Sequence, residues 1–600
     1  MCGIVGYLGK KNASEILCDG LKKLEYRGYD SAGIALLNGS GFRVLKTSKR
    51  IETLSKTVSL EKSQSKIGIG HTRWATHGEA NKQNAHPHLS EDGKFAVVHN
   101  GIIENYLSLK EELLKEGFKL KSETDTEVIP MLLQKYYKKD IKEAVKKTLK
   151  RLEGSYALAI LCSDYPDMII AARQFSPIII GLSETEKAVA SDITAFPEDI
   201  NNVIYLKDGQ VSFLSSEKCE VFDSSMKSVT PEITPFVKGE YFGDKEEYEH
   251  FMMKEIREQP RVIEETVKCY VRNDKPVFHH IDPEIMKNIN KIHIIACGSA
   301  YHAGVVAKYF FEEIIGMPVS VDIASEYRYR TCLADGETLA IAISQSGETA
   351  DTIAAITRAK ENGAKTLSIV NVKNSSLTKI TDYVVYTLAG PEIAVATTKG
   401  YTTQLTLLYI LGLWIGKIRN SVSEEVLSEL IGEIKRLPEI TFEALKKEKE
   451  IKKTAKILSS SQSVFFMGRN MDYAVALEGS LKLKEISYIH CETYAAGELK
   501  HGTLALIEKG TPVIALTSYE ELKSKTESNI KEVAARGGFI INSGYGNSIG
   551  DIQIIVPKVH PLLSASAQIV PLQLLAYYTA LYKDCDIDKP KNLAKSVTVE

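Results

Sequence analysis

Apolar positions are grouped differently in the two halves of the chain. Before residue 230, short apolar strands dominate, and only a few helices, notably 105–116 and 126–135, interrupt them. This texture predicts an α+β layered domain. The predicted strands span residues 2–8, 33–37, 67–70, 95–99, 156–162 and 168–173.

After residue 290, apolar strands alternate with longer helices, which predicts parallel sheets covered by helices. Segments of this region also resemble each other in pairs: KIHIIACGS and SVFFMGR, TLAIAIS and TPVIALT, DYVVYTL and DIQIIVP. The members of each pair lie about 170 positions apart and follow the same order. Chance similarity between apolar strands is the alternative, but the shared order and spacing favour a duplicated α/β unit.

Composition and charge are those of an ordinary globular protein. The chain has 600 residues, of which 44% are hydrophobic and 25% charged, and its formal net charge is -2. Because the charges nearly balance, a nucleic-acid-binding surface is not expected as the main activity. At about 100–200 residues per domain, the length predicts roughly three to five units. A Ser-, Thr-, Glu- and Lys-rich stretch at 215–247 predicts closing strands followed by a linker, so domains are expected at 1–240, 241–420 and 421–600.

No segment predicts membrane insertion or secretion. The longest strongly apolar run, 405–415, is shorter than the about 20 residues that span a bilayer, and it predicts a buried helix. The first residues, MCGIVG, lack the basic start of a signal peptide. The nine cysteines are scattered without a C-x-x-C pair, which argues against a disulfide framework or structural zinc and favours a reducing cytoplasm.

The second residue, Cys2, is a candidate nucleophile. Removal of the initiator methionine would give it a free α-amine with a pKa of about 7.7–8, which suits a general base at neutral pH. A thiol beside its own amine makes a nucleophile–base pair within one residue. A buried structural cysteine in an ordinary first strand is the alternative, and position alone leaves it open.

Downstream segments carry the groups that a site for cleaving the amide of a free amino acid needs. Arg73 could bind the carboxylate and Asp125 the amine. The Asn100 side chain and the Gly101 backbone N–H could form an oxyanion hole for the tetrahedral intermediate. A metal site is the alternative for the five histidines of this region, although their spacings match no ligand motif. These histidines are His71, His77, His86, His88 and His99.

The segment SQSGETADT, which follows the apolar strand 338–344, is a candidate phosphate cradle. Its side-chain donors, the backbone freedom of Gly347 and the N–H groups at the start of the next helix suit a small phosphate without lysine or Mg²⁺. It is not a Walker loop, so nucleotide hydrolysis is not expected. A Ser-rich helix cap without a ligand is the alternative. The side-chain donors are Ser344, Gln345, Ser346 and Thr349.

The second half of the duplicated region differs from the first. The turn at 517–522 lacks glycine and carries two consecutive glutamates, which would repel a phosphate, so one phosphate site per chain is expected. Glu478, Lys482 and Glu485 share one helix face, for which a solvated salt-bridge face is the usual explanation. His501 falls in a loop, and Lys595 lies in the C-terminal tail, where a solvated lysine is the ordinary expectation.

Motifs from both ends of the chain carry a resemblance to known proteins. MCGIVGY, EYRGYDSAG, HTRWATHG, HNGIIENY and SETDTEV resemble the class II glutamine amidotransferase domain, and ACGSAYHAG is similar to the sugar-binding turn of sugar-isomerase domains. Together with LKLKEIS, ELKHG and NLAKSVTVE, they make the whole chain resemble the glutamine–fructose-6-phosphate aminotransferase (isomerising) family, also called glucosamine-6-phosphate synthases. The resemblance implies an α+β N-terminal-nucleophile domain followed by two duplicated α/β sugar-isomerase domains with parallel sheets.

The resemblance also implies roles for single residues. Cys2 would attack the glutamine amide and release ammonia, and Trp74 would gate an internal ammonia channel. Lys595 would form a Schiff base with the open-chain sugar, Glu485 would move a proton between C1 and C2, and His501 would help to open the ring from a neighbouring subunit. The further residues implied are Asn100, Gly101 and Lys482 for catalysis, Arg73, Thr76, His77 and Asp125 for glutamine, and Cys297, Gly298, Ser299, Ser344, Gln345, Ser346, Thr349 and Val395 for the sugar phosphate.

The activity implied is glutamine hydrolysis with transfer of the ammonia to fructose 6-phosphate, which gives glucosamine 6-phosphate and glutamate. A cytoplasmic homodimer or larger homo-oligomer is expected, without nucleic acid, membrane, metal or organic cofactor. Ser299 and Thr397 keep a hydroxyl where relatives carry threonine and serine, but Ala300 replaces a serine. Another ketose phosphate or a deglycase activity is therefore an alternative. A sugar-phosphate-sensing regulatory protein with vestigial catalytic groups is a third hypothesis.

Overall fold

The computed structural model describes residues 2–25, 28–39, 41–61, 63–74, 77–236 and 245–598. The chain divides into two units, one of residues 1–242 with 596–600 and the other of residues 243–595. Most of the predicted linker after the closing strands, residues 237–244, lies outside the described residues.

Two antiparallel sheets form the centre of the first unit. Their strands are β1 Gly3–Leu8, β2 Ser31–Asn38, β3 Gly41–Thr47, β4 Ile67–Arg73, β5 His88–Leu89, β6 Phe95–Ile103, β7 Gly154–Cys162, β8 Met168–Gln174, β9 Ile179–Leu182, β10 Lys187–Ala190, β11 Asn202–Tyr205, β12 Val211–Ser215, β13 Cys219–Phe222, β14 Ser228–Val229 and β15 Thr234–Pro235. The first sheet runs in the order β15-β11-β9-β10-β1-β4-β2-β3 and the second in the order β14-β13-β12-β8-β7-β6-β5. β1, which follows Cys2, therefore lies inside the first sheet and not at its edge.

Helices cover the outer faces of the two sheets. They are α1 Ala13–Lys23, α2 Ile51–Glu61, α3 Tyr106–Lys115, α4 Val128–Tyr136 and α5 Ile141–Leu149. Successive strand residues point to opposite faces, so Val5 packs in the cluster that contains α1 and α2, whereas its neighbour Ile4 packs between the sheets. Val97 of the second sheet likewise packs against α4 and α5. The unit is thus a four-layered arrangement of helices, sheet, sheet and helices.

The second unit contains two parallel sheets with the same topology. Its strands are β16 Val271–Arg272, β17 Lys275–Pro276, β18 Lys291–Ala296, β19 Val319–Ile323, β20 Thr338–Ser344, β21 Lys365–Val370, β22 Tyr383–Tyr386, β23 Ser463–Gly468, β24 His490–Ala495, β25 Pro512–Thr517, β26 Phe539–Gly544 and β27 Ile552–Ile555. The two parallel sheets run in the orders β19-β18-β20-β21-β22 and β24-β23-β25-β26-β27. The three sequence pairs fall on β18 and β23, β20 and β25, and β22 and β27, which confirms the duplication.

Helices of the second unit pack on both sheets, and most of them share one apolar core with the sheets. They are α6 Phe251–Tyr270, α7 Pro283–Asn288, α8 Gly298–Ile315, α9 Ala324–Tyr327, α10 Ala350–Glu361, α11 Ser376–Ile380, α12 Lys399–Ile418, α13 Glu424–Leu445, α14 Glu448–Leu458, α15 Met471–Ser487, α16 Lys523–Ala534 and α17 Ser564–Tyr582. The core includes Ile294 of β18, Leu408 of α12, Phe466 of β23 and Leu574 of α17. The apolar run 405–415 lies in α12 and is buried, as predicted. Among the described helices, none is both long and apolar enough to cross a membrane.

The fold class expected from the sequence is confirmed, with local differences. β6 continues beyond the predicted end at residue 99, because Asn100 to Ile103 pair with Ala157 to Gly154 of β7. Asn100 and Gly101 therefore lie inside a strand and not at its end. The predicted helix 126–135 begins with a 3-10 turn, Asp125–Glu127, before α4. The predicted boundary at 420/421 falls between α12 and α13 and stays a prediction.

Candidate active site

The Cys2 thiol lies one residue before β1, beside the end of β4. Gly3 pairs with Thr72, so the chain that follows β4 passes the thiol, and the Trp74 N–H donates to Cys2 Sγ at 3.2 Å. Asn100 Nδ2 donates to the Cys2 carbonyl at 2.9 Å. Burial raises the pKa of the Cys2 thiol, and the Trp74 N–H acts in the opposite direction. A thiol that is kept neutral needs a base before it becomes a nucleophile.

Gly101 follows Asn100 in a conformation that only glycine adopts readily. Its φ is +137°, and a Cβ at this position would lie 2.0 Å from the Ser155 carbonyl oxygen. β6 therefore places the two groups predicted for the oxyanion hole next to each other, with Asn100 in contact with Cys2.

Arg73 and Asp125 were predicted to bind the two ends of a free amino acid. Both are buried, with 3% and 4% of their surface exposed. The Arg73 guanidinium donates to the backbone carbonyls of residues 77–79, with 3.2 Å to Gly78 and 3.1 Å to Glu79. Asp125 accepts the Ile103 N–H at 2.8 Å. Both charges act on the pKa of Cys2, which Arg73 lowers and Asp125 raises.

Three further residues predicted for the glutamine site follow β4 in the chain. The His77 ring lies against Tyr106, with 5.2 Å between the ring centroids. The Trp74 ring meets the Tyr29 ring edge-on at 5.8 Å. Thr76 lies outside the described residues.

Four of the five histidines between residues 71 and 99 are buried. Burial lowers the pKa of each of them, which favours the neutral form. His71 Nε2 donates to Asn100 Oδ1 at 3.1 Å, which turns the amide so that its Nδ2 meets Cys2. Among the described residues, no group of three His, Cys, Asp or Glu side chains could hold a metal ion. The four are His71, His86, His88 and His99.

The predicted phosphate cradle joins β20 to α10. Ser344 Oγ lies 3.0 Å from Thr349 Oγ1 and accepts the Gly347 N–H at 3.1 Å. Gly347 has a φ of +67°, and a Cβ there would lie 2.0 Å from Ser375 Oγ, so this turn requires glycine. β18 and β20 are neighbours whose connections leave in opposite directions, so the cleft beyond their carboxyl ends is a topological switch point, where α/β sheets bind ligands.

Cys297, Gly298 and Ser299 border the same cleft, because they follow β18. Cys297 precedes α8, and Gly298 opens the helix with a φ of +55°. Ser299 Oγ accepts a hydrogen bond from Lys482 Nζ at 3.0 Å. This contact connects the turn after β18 in the first half to α15 of the second half.

The Glu478, Lys482 and Glu485 face of α15 is turned towards α8 rather than towards solvent. Glu478 and Lys482 have no exposed surface, so the solvated-face expectation is wrong at these positions. Lys482 Nζ donates to Glu485 Oε2 at 2.6 Å, and His302 of α8 donates to Glu478 Oε2 at 2.8 Å. Burial acts to lower the pKa of Lys482, but the two carboxylates outweigh it and raise the pKa to about 12. Lys482 is therefore a permanent cation beside Glu485.

Lys595 is also buried, although it lies in the tail. Only 5% of its side chain is exposed, so the expectation of a solvated lysine is wrong. Its Nζ donates to Glu392 Oε2 at 2.5 Å and to Thr397 Oγ1 at 3.1 Å. Burial acts to raise the pKa of Glu392, but Lys595 and the hydrogen bonds from Thr397 and Gly400 lower it to about 2. Glu392 and Lys595 are thus a buried ion pair.

Two further predicted residues differ in their placement. Val395 lies in the loop that begins with Glu392, and its N–H donates to the Asp588 carbonyl at 3.0 Å, so it adjoins the tail that carries Lys595. His501 ends the 3-10 turn Ala496–His501 and is exposed. None of its described contacts joins it to Lys482 or Lys595.

Three buried carboxyl residues and one partly buried histidine near these sites were not singled out from the sequence. Their burial results from tertiary packing, so the sequence pattern does not distinguish them from ordinary helix and loop residues. The one available signal was the position of Glu392 at the start of EIAVATTKG, close to a hydroxyl residue. The four residues are Glu255, His302, Glu392 and Asp472.

The Asp472 side chain extends from the first turn of α15 to the turn after β25, which corresponds in the second half to the predicted phosphate cradle. Its carboxylate accepts the Ser518 hydroxyl and, at 2.9 Å, the Tyr519 N–H. Burial raises the pKa of Asp472 to about 6. The donors of this turn are therefore already used by a carboxylate of the chain itself.

Two domain families match this chain. The glutamine amidotransferase domain matches residues 71–198, and the SIS domain matches residues 285–413 and 457–583. The first match lies within the four-layered unit, and the other two contain the two parallel sheets. The chain is therefore a glutamine amidotransferase domain joined to a pair of SIS domains.

Full-length relatives narrow this class to one family. The glutamine--fructose-6-phosphate aminotransferases [isomerizing] of Clostridium tetani and Caldanaerobacter subterraneus are 49% and 50% identical over 608 residues, with 100% of both chains covered in each case. The C-terminal domain of glucosamine-fructose-6-phosphate aminotransferase from Francisella tularensis is 40% identical and aligns with a TM-score of 0.56 over 58% of this chain and 100% of its own. The chain belongs to the glutamine–fructose-6-phosphate aminotransferase (isomerising) family, which confirms the resemblance seen in the sequence.

Proposed function

We propose that this chain hydrolyses L-glutamine in its first unit and uses the released ammonia to convert fructose 6-phosphate into glucosamine 6-phosphate in its second unit. Glutamine and fructose 6-phosphate are consumed, and glutamate and glucosamine 6-phosphate are formed. The ammonia is kept within the protein, and Trp74, whose N–H contacts the thiol, is assigned as the gate. The family membership and the two sets of buried reactive groups support this proposal.

At the glutamine site, the Cys2 thiol attacks the side-chain amide carbon, and its proton passes to the Cys2 α-amine once the initiator methionine has been removed. The Asn100 amide nitrogen carries a second hydrogen besides the one it gives to Cys2, and this hydrogen and the Gly101 N–H stabilise the oxyanion. The intermediate expels ammonia, and water releases glutamate from the thioester. The substrate is held by Arg73, Thr76, His77 and Asp125.

At the sugar site, the phosphate binds the cradle after β20 and the turn after β18. Once the ring has opened, the neutral amine of Lys595 attacks C2, and water leaves as the imine forms. Ammonia then takes the place of the lysine on C2. Glu485 accepts a proton from C1 and returns one to C2, and the Lys482 ammonium stabilises its charge.

The burial of Lys595 is the observation that carries this proposal. A lysine in a tail loses free energy when its amine is taken out of water, unless paired groups receive it. Here the Glu392 carboxylate and the Thr397 hydroxyl receive it. A Cβ at Gly400 would lie 2.9 Å from Glu392 Oε2 and 3.3 Å from Gln345 Cγ, so the ion pair adjoins the phosphate cradle.

We further propose a homodimer or larger homo-oligomer located in the cytoplasm. His501 is exposed, and its proposed role in ring opening needs a second copy of the chain to bring it to the sugar.

Variants of the two reactive residues test the function. Glutamate and glucosamine 6-phosphate are measured after incubation with glutamine and fructose 6-phosphate. The wild type should release them in equal amounts, Cys2→Ala should release neither, and Lys595→Ala should release glutamate alone. If the wild type formed glutamate but no amino sugar, fructose 6-phosphate would not be the acceptor. If it bound fructose 6-phosphate without converting it, the proposal that the chain is an enzyme would be contradicted.

A further inference from the structure

One face of α6 holds several parts of the Lys595 site. The first two N–H groups of α6 donate to the Asp588 carboxylate, each at 2.9 Å, and Asp588 lies in the tail that leads to Lys595. Glu258, about two turns along the helix, accepts Lys399 Nζ at 2.6 Å, where α12 begins. Glu255 lies between these two contacts on the same face.

Glu255 anchors the loop that carries the carboxylate partner of Lys595. Its Oε1 accepts the N–H groups of Ile393 at 2.5 Å and Ala394 at 3.1 Å. Its Oε2 is buried and has no hydrogen-bond partner among the described residues, and only 2% of the residue is exposed. The anchored loop begins with Glu392, which binds Lys595. A buried carboxylate oxygen without a donor is costly unless the group carries a proton.

The charges that face Glu255 come from three elements. Glu392 lies in the loop, Lys595 in the tail and Lys399 at the start of α12, while Glu258 on its own helix is paired with Lys399. Burial and the charge of Glu392 raise the pKa of Glu255 to about 8, although Lys595 and Lys399 act against them. At neutral pH, Glu255 therefore carries a proton and Glu392 does not.

We propose that Glu255 is a positioning residue for Lys595 that acts in its protonated form. One oxygen fixes the loop that carries Glu392, and the neutral carboxyl group keeps a second negative charge away from the lysine. Ionisation of Glu255 would surround the ammonium with two carboxylates and favour it over the neutral amine. Only the neutral amine attacks a carbonyl, so this inference rests on the Schiff-base role proposed for Lys595.

Replacement by an amide separates the anchoring role from the charge. Glu255→Gln keeps the oxygen that receives the two loop N–H groups and cannot ionise. At neutral pH its kcat for glucosamine 6-phosphate should stay within about threefold of the wild type, because both hydrogen bonds remain. As the pH rises through about 8, the variant should become faster than the wild type, because the wild type alone gains a charge beside Lys595.

Removal of the acceptor should disturb the geometry instead. Glu255→Leu leaves the Ile393 and Ala394 N–H groups without their acceptor, and kcat should fall about a hundredfold while KM for fructose 6-phosphate changes little. Glu264→Gln is the matched control, because Glu264 is exposed on the same helix and pairs with Lys268 at 2.7 Å. It should match the wild type at every pH. Glutamine hydrolysis reports that the first unit of each protein is intact.

Trapping of the imine separates failure of this inference from failure of the function. Borohydride reduction during incubation with fructose 6-phosphate, followed by mass spectrometry, should show a sugar adduct on Lys595, with a pH dependence that differs between the wild type and Glu255→Gln. An adduct with identical pH dependence in both proteins would overturn the role of Glu255 alone. Absence of the adduct in the wild type would overturn the role of Lys595 and this inference with it. Glu255→Gln keeps both hydrogen bonds to the loop. Its pH dependence therefore tests the role of Glu255 even if Glu255→Leu does not fold.

Discussion

Neighbouring buried carboxyl groups differ in protonation because their partners differ. Glu392 contacts an ammonium at 2.5 Å, and its pKa falls to about 2. Among the described residues, Glu255 accepts hydrogen bonds from backbone N–H groups alone. It also faces the Glu392 charge, and its pKa rises to about 8. Titratable pairs whose environments push their pKa values apart are typical of acid–base sites.

The residues that sequence could identify are those whose motif is local. Cys2 was identified from its place after the initiator methionine, and Lys595 from the NLAKSVTVE motif. Glu255 and Asp472 could not be identified, because a carboxylate on a helix is normally solvated and only the packing of distant segments buries it. The burial of Glu478 and Lys482 was missed for the same reason.

Loss of the Glu392 charge should destabilise the second unit. Glu392→Gln leaves the buried Lys595 ammonium without an anionic partner, and removing one member of a buried ion pair costs about 3–5 kcal/mol. The free energy of unfolding is measured in urea by fluorescence. The chain has two tryptophans, one in each unit, so a Trp74→Phe background leaves Trp414 as the reporter of the second unit.

The pH dependence of this effect has a defined sign. The pKa of Glu392 is about 2 in the folded protein and about 4.3 when unfolded, so its contribution is present above about pH 4.3 and is lost as the pH falls towards 2. The stability difference between wild type and Glu392→Gln should therefore shrink in acid. A difference that does not depend on pH, or equal stability at neutral pH, would contradict the buried ion pair. Glu429→Gln, at an exposed position, is the control.

At the scale of elements, the parallel sheets and the duplication of the α/β unit followed from the sequence better than strand ends. The pairs on β18 and β23 and on β20 and β25 were recognisable because parallel strands buried on both faces are continuous apolar runs. The extension of β6 to Ile103 could not be predicted, because Asn100 and Gly101 interrupt the apolar pattern. The end of β6 is set by its pairing with β7. The contact of Asp472 with the turn after β25 could not be predicted either, because it depends on side-chain contacts that the apolar pattern does not encode.

The turn between β20 and α10 gives a prediction at this scale. Gly347→Ala forces a side chain into the left-handed region and against Ser375, which costs about 1–3 kcal/mol if the turn keeps its shape. If the turn moves instead, the phosphate donors move with it. KM for fructose 6-phosphate should rise about tenfold or more, because 1.4 kcal/mol corresponds to about tenfold in binding.

A glycine in the turn before β20 provides the control for this experiment. A Cβ at Gly336 would meet no atom within 4 Å, so Gly336→Ala should leave KM unchanged. An unchanged KM in both variants would contradict the assignment of the phosphate cradle. Glutamine hydrolysis without sugar should be the same in both.

At the scale of the whole molecule, the role proposed for His501 depends on a second copy of the chain. His501 is exposed and has no described contact with Lys482 or Lys595, and a single sequence contains no information about which surface of another copy it meets. Co-expression of His501→Ala and Lys595→Ala chains tests this. Each variant alone should be inactive in amino-sugar formation. In a dimer, half of the assemblies would be mixed and each would hold one intact site, so about a quarter of the wild-type activity should return.

The control for this experiment places both substitutions on one chain. When a doubly substituted chain is co-expressed with wild type, the mixed assemblies, isolated through different tags on the two chains, should hold no intact site and be inactive. Mixed assemblies of the two singly substituted chains without activity would show that His501 serves its own chain or no site at all.

The central claim is that one chain cleaves glutamine and delivers the ammonia to a sugar phosphate without releasing it. The most direct test is incubation with fructose 6-phosphate and glutamine labelled with ¹⁵N at the amide, in the presence of excess unlabelled ammonium, with mass spectrometry of the amino sugar. The account predicts glucosamine 6-phosphate that carries the label undiluted. Product whose label is diluted to the ratio of the two nitrogen sources would contradict internal transfer, and labelled ammonium without amino sugar would contradict the coupling of the two sites.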